Sequence, residues 1–164
     1  MTRKIKISSE FTYFAAIVLL SLAVAILSAA DFGISMIVAP AYLLSLKAGF
    51  LSFGQAEYAV QALVFIVLCI VLKKIRLSYL FSFGTCLIYG LVLDLWRKIP
   101  FLNPAATLPG SMNFTLRIIM FVIGMMLTSF SVALFFKTYL FPQVYDFFVK
   151  AVSAKYGIRL PVLK

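Results

Sequence analysis

Apolar residues in this chain gather into long unbroken runs, and polar positions are confined to the short stretches between them. Four runs, residues 11–30, 56–72, 77–96 and 114–136, reach or nearly reach the length that carries a helix across hydrocarbon. That length is about 20 residues for a core about 30 Å thick, at a rise of about 1.5 Å per residue. Each run therefore predicts a membrane-spanning helix. Two further apolar stretches, 33–46 and 138–149, are 14 and 12 residues long and carry Pro40 and Pro142. Too short to cross and interrupted by a helix breaker, they predict proline-broken half-helices, either re-entrant or interfacial. The fold class expected is an all-α membrane protein of four spanning helices and two such half-helices.

The distribution of Lys and Arg sets the orientation. With residues 1–10 as a basic cytoplasmic N-terminus, eleven basic residues fall inside: Arg3, Lys4, Lys6, Lys73, Lys74, Arg76, Lys137, Lys150, Lys155, Arg159 and Lys164. Only Lys47, Arg97, Lys98 and Arg117 fall outside. A full crossing by 33–46 would turn the Lys73, Lys74, Arg76 cluster outward, so four spans suit the charge pattern better. Residues 99–113, rich in Pro, Gly and Asn, become an external loop. The run 11–30 is longer than the apolar part of a cleaved signal peptide and is followed by more membrane segments, so a retained helix is expected.

A faint internal repeat appears at an offset of 103 residues, where Phe11, Thr12, Ser28, Ala30, Phe32, Tyr42, Lys47, Ala48 and Gly54 fall on identical residues in the second copy. The first unit, 11–98, holds three spans and a broken segment. An odd number of spans inverts the second unit, 114–164, which holds one span and a broken segment. The pattern is that of a truncated inverted 3+3 repeat: either the chain is a shortened form, or a second copy or another partner supplies the missing helices.

Composition sharpens this picture. The chain is 64% hydrophobic and 12% charged, beyond what a soluble domain of 164 residues carries on its surface. A lipid bilayer is therefore its expected partner. The net charge of +10 lies in clusters between apolar runs, without the basic face and interleaved aromatics of a nucleic-acid interface. No histidine is present, which removes the commonest general base and metal ligand. Cys69 and Cys86 stand on separate predicted helices with no CxxC pairing. Neither an enzyme, a metal site nor a cofactor is expected.

Five acids remain. Glu10 stands beside the basic N-terminus, Asp31 closes the first span, Glu57 opens the second, Asp94 lies near the end of the third and Asp146 falls in the second broken segment. Ionisable side chains deep in a span usually face a cavity or a partner. At interface depth they reach water or pair locally, as Asp94 could with Arg97. Glu57 shares a helix face with Gln61 at i+4 and follows Gly54 and Gln55. Such a polar pair either lines a pathway or holds helices together. Gly33, Ser35, Pro40 and Tyr42 mark the first broken segment, and Pro142, Tyr145 and Asp146 the second. Paired interrupted segments build the midplane sites of inverted-repeat transporters.

The stretches Gly33-Ile-Ser-Met-Ile-Val-Ala-Pro-Ala-Tyr42, Phe53-Gly-Gln-Ala-Glu-Tyr58 with Gln61, Ser82-Phe-Gly-Thr85, Tyr89-Gly-Leu-Val-Leu-Asp94 and Phe141-Pro-Gln-Val-Tyr-Asp-Phe-Phe-Val149 resemble the YitT/YczE-like bacterial membrane proteins. The likeness covers nearly the whole chain and places Glu57, Asp94 and Asp146 at motif positions. It implies a transporter or permease class without implying a substrate, and family members continue through two more spans. The expectation is a small-solute permease of the bacterial inner membrane, its pathway drawn from Asp31, Gly33, Ser35, Pro40, Tyr42, Gly54, Gln55, Glu57, Gln61, Tyr89, Asp94, Tyr145 and Asp146. The rival expectation is a non-transporting scaffold or accessory subunit.

Overall fold

The computed structural model describes residues 9–72, 77–103, 112–138, 144–145, 148 and 152–153, with backbone alone for 77–80. Every regular element among them is helical: α1 Ser9–Ala30, α2 Ala39–Ala48, α3 Phe53–Leu72, α4 Leu77–Arg97, a 3-10 turn at Pro100–Leu102, and α5 Phe114–Lys137. Three of these, α1, α3 and α5, are long and apolar enough to cross a membrane. The expected third span forms α4, a helix of 21 residues.

The chain divides into two compact units. One comprises Met1–Gly33 and Leu95–Leu140, the other Ile34–Asp94 and Phe141–Lys164.

In the first unit α1 packs on α5. Ala16, Ala23 and Ala30 recur at seven-residue spacing on α1 and are fully buried, while α5 buries only Met120, Gly124 and Ser131. Small residues in this register let two helices approach closely, which is how helices associate where lipid supplies no hydrophobic drive. A Cβ at Gly124 would lie 2.8 Å from Leu27 Cδ2, so a larger residue there would require that leucine to shift. Ser21, Ser28 and Ser131 are buried but donate to carbonyls of their own helices, leaving no hydroxyl stranded.

At the end of α1 the chain turns through Asp31 at φ 55° and Gly33 at φ 113°. Arg117 of α5 closes this end, donating from Nε to the Ala30 carbonyl at 2.9 Å and from Nη2 to both the carbonyl and carboxylate of Asp31 at 3.0 Å. Its guanidinium lies 4.9 Å from the centre of the Phe32 ring. A cation is thereby placed on carbonyls that a helix leaves without partners and at the negative pole of its dipole.

In the second unit, α2 is a short helix of 10 residues. The sequence suggests that Pro40 interrupts a half-helix over 33–46. Instead Pro40 occupies the first turn of α2, where its missing N–H is no loss and its fixed φ suits the helix. Residues before it form turns closed by Val38 and Ala39 donating to the Ser35 carbonyl, both at 2.9 Å. Gly49, in the left-handed region at φ 64°, ends α2. Ala41 and Tyr42 seat α2 on α3, the Tyr42 ring 5.2 Å from that of Phe53. Pro142 and Asp146 of the second broken segment lie outside the described residues, so no second interrupted helix is described.

Polarity runs inside out. Phe11, Ile70 and Phe136 are 68%, 67% and 70% exposed, whereas Glu57 and Gln61 are 0% exposed. Hydrocarbon is the solvent that suits such a surface, because apolar area of this extent facing water marks an interaction or membrane site.

Candidate functional site

The site is built on the first turns of α3. Ser52 precedes the helix, its hydroxyl accepting from the Gln55 N–H at 3.1 Å while Gln55 Oε1 accepts from the Ser52 N–H at 3.0 Å. This reciprocal capping box fixes where α3 begins. Asp94 reinforces it from α4, accepting from the Ser52 hydroxyl and, at 2.8 Å, from the Gly54 N–H. A carboxylate at the positive pole of α3 satisfies donors that a helix start otherwise leaves free.

The two helices come close because Gly54 and Gly90 lack side chains. A Cβ at Gly54 would strike the Gly90 carbonyl oxygen and lie 2.6 Å from Asp94 Oδ2, and one at Gly90 would strike the Tyr58 ring. Glu57, one turn into α3, is therefore held against α4 by backbone contact and a capped terminus.

Glu57 and Gln61 share one face of α3, and Gln61 Nε2 donates to Glu57 Oε1 at 3.0 Å. Glu57 Oε2 and Gln61 Oε1 are buried and have no hydrogen-bond partner among the described residues. Cys86 and Tyr89 of α4, 0% and 1% exposed, lie within electrostatic reach of the Glu57 carboxyl. So does the hydroxyl of Tyr145, which approaches Glu57 without either group completing a well-formed hydrogen bond. No lysine or arginine among the described residues pairs with Glu57.

Leaving one buried acceptor without a donor costs about 1–3 kcal/mol, and more when it is charged. Two such acceptors on one helix face form a polar locus whose hydrogen bonding the described protein groups leave incomplete. Among the described residues no three potential metal ligands of the His, Cys, Asp or Glu type converge.

The structure thus gathers Glu57, Gln61, Tyr89 and Tyr145 in one cluster and gives the other candidates different work. Gly54, Gln55 and Asp94 build the junction beneath it. Pro40 and Tyr42 shape and seat α2, and Ser35 closes the turns before it. Asp31 and Gly33 belong to the other unit, at the end of α1 clamped by Arg117. Asp146 lies outside the described residues. Arg97, the neighbour that sequence spacing offers to Asp94, donates instead to Asn103 Oδ1 at 3.3 Å.

Three contributors are absent from the residues that the sequence singles out. Ser52 carries a usable signal, as the start of a Ser-x-x-Gln capping box. Cys86 reads as an inert small core residue, and Tyr58, whose hydroxyl is buried without a hydrogen-bond partner among the described residues, carries no local signal.

Residues 7–164 match the model of a family of unknown function, DUF6198, and the chain belongs to that family. No curated protein and no solved structure matches the chain.

Proposed function

We propose that this member of a family of unknown function is a small-solute transporter or permease of the bacterial inner membrane, with its binding site at the Glu57–Gln61 face of α3. One observation carries the reading. A fully buried carboxyl with an unused oxygen sits on a helix long and apolar enough to cross a bilayer. Ionisable groups in such a position are costly to insert and commonly mark a substrate or ion path. The resemblance to YitT/YczE-like membrane proteins supports the same class. In this reading α4 is a fourth crossing, the N-terminus is cytoplasmic and residues 114–164 form the incomplete second unit of an inverted repeat.

The test is uptake into proteoliposomes containing the full chain or Glu57→Gln, across small cations and neutral metabolites. Saturable uptake that the substitution abolishes is the expected result. Absence of uptake by folded, correctly oriented protein would favour an accessory or scaffold role. That second reading draws on Asp31 and Asp94, both engaged in bonds that tie helices together.

A further inference from the structure

The acceptors at the Glu57–Gln61 face define a ligand chemistry. Gln61 spends one amide N–H on Glu57 Oε1, and Glu57 Oε2 and Gln61 Oε1 remain on one helix face without a well-formed hydrogen bond, the Tyr145 hydroxyl approaching the Glu57 carboxyl without completing one. Both side chains are 0% exposed, so bulk water does not serve them in this conformation. An anion is disfavoured at such a place, since it would meet a carboxyl and an amide oxygen with no lysine or arginine paired to them among the described residues. A neutral apolar solute would leave both oxygens as they are.

Hard divalent cations ask for about six to eight oxygen ligands. Here the oxygens in the described cluster belong to one carboxyl, one amide and the phenols of Tyr89 and Tyr145, and no second carboxylate is among them. Tyr89 and Tyr145 also bring aromatic rings to the cluster, a residue type that attracts cations of low charge density.

The geometry points to a binding site for a small ammonium-type cation, whose N–H groups donate to Glu57 Oε2 and Gln61 Oε1 beside Tyr89 and Tyr145. This inference rests on the proposed transport site and names the substrate class it takes. Charge complementarity comes from Glu57, and directionality comes from two acceptors that each need a donor. Gly54 and the Asp94-capped start of α3 position the pair without touching the ligand.

Calorimetric titration of methylammonium into the full chain in lipid nanodiscs tests the assignment, with sodium, tetramethylammonium and acetamide as comparison probes. Tetramethylammonium keeps the charge and lacks N–H donors, and acetamide keeps N–H donors and lacks the charge. Methylammonium is expected to bind saturably and more tightly than all three. Glu57→Gln weakens it by about 10- to 100-fold, the worth of one hydrogen bond to a charged group. Glu57→Asp preserves measurable binding, and Gln61→Leu, which removes an acceptor at similar size, weakens it by about threefold to tenfold.

Equal affinity for the wild-type chain and a folded Glu57→Gln variant would overturn the site. Binding of sodium, tetramethylammonium or acetamide as tightly as methylammonium would overturn the ligand class. Should Glu57→Gln fail to fold, Gln61→Leu and the probe series on the wild-type chain decide the matter alone. Methylammonium that binds through Glu57 but is not taken up leaves this site standing and removes the transport reading. Glu57-dependent uptake of a neutral or anionic solute, with no methylammonium binding, does the reverse.

Discussion

Gly54 and Gly90 meet backbone to backbone, with the Gly90 carbonyl oxygen occupying the space a side chain at position 54 would need. The obstacles at position 54 cannot yield cheaply: one is main chain, and the other is the Asp94 carboxyl, fixed by its own hydrogen bonds. At position 90 the obstacle is the Tyr58 ring, which can swing. Gly84→Ala meets nothing within 4 Å. Thermal unfolding in detergent should therefore rank the variants. Gly54→Ala loses most, about 1–3 kcal/mol by overpacking. Gly90→Ala loses less, and Gly84→Ala is neutral or slightly stabilising through helix propensity. A Gly84 variant worse than the Gly54 variant would contradict the close approach.

The start of α3 should show strong coupling between distant residues. Ser52→Ala removes the hydroxyl shared by Gln55 and Asp94, and Asp94→Ala strips the acceptor from the Gly54 N–H. Each single change is expected to cost about 1–2 kcal/mol. The double variant should cost clearly less than their sum, because one bond is lost in both. Additive losses in the unfolding cycle would mean that the two residues act separately.

Arg117 and Asp31 are unequal partners. Arg117→Ala deletes three hydrogen bonds, two of them to main-chain carbonyls at the end of α1, whereas Asp31→Asn deletes only the ion pair. Because the Asp31 side chain is 77% exposed, that pair is screened and contributes at most about 1 kcal/mol. The arginine variant should lose about 2–3 kcal/mol, and Arg117→Lys should fall between, lacking the fork that reaches two carbonyls at once. If Asp31→Asn proved as damaging as Arg117→Ala, the clamp would be electrostatic and not a cap.

The two cysteines report on packing. Cys86 is fully buried and Cys69 is not. N-ethylmaleimide added to folded protein in detergent should modify Cys69 first, with Cys86 labelled only on opening of the fold, as followed by intact mass. Early labelling of Cys86 would place the α4 face that meets Glu57 in contact with water.

The long helices were legible because a run of apolar residues is a local property. The stretches 11–30 and 114–136 became α1 and α5 with ends shifted by only a few residues. At α3 the apolar run starts at 56 but the helix starts at Phe53, since the true boundary is written in the Ser52–Gln55 cap and not in hydropathy. Pro40 misled for a related reason: a proline ends a helix or opens one according to its position, and the sequence does not mark which turn it occupies. Glu57 and Gln61 were legible as a pair because i and i+4 meet on any helix. Asp94 with Ser52, and Asp31 with Arg117, were not, since contacts between residues so far apart in the chain depend on how helices pack.

The Glu57–Gln61 bond is internal to α3 and needs no second helix to form. Coiling of α3 by itself covers one oxygen of its carboxyl, so the residue that costs most to bury is half served by local structure alone. Its other oxygen waits for whatever comes later. The same four-residue spacing thus divides what local structure satisfies from what is left to the packing of helices.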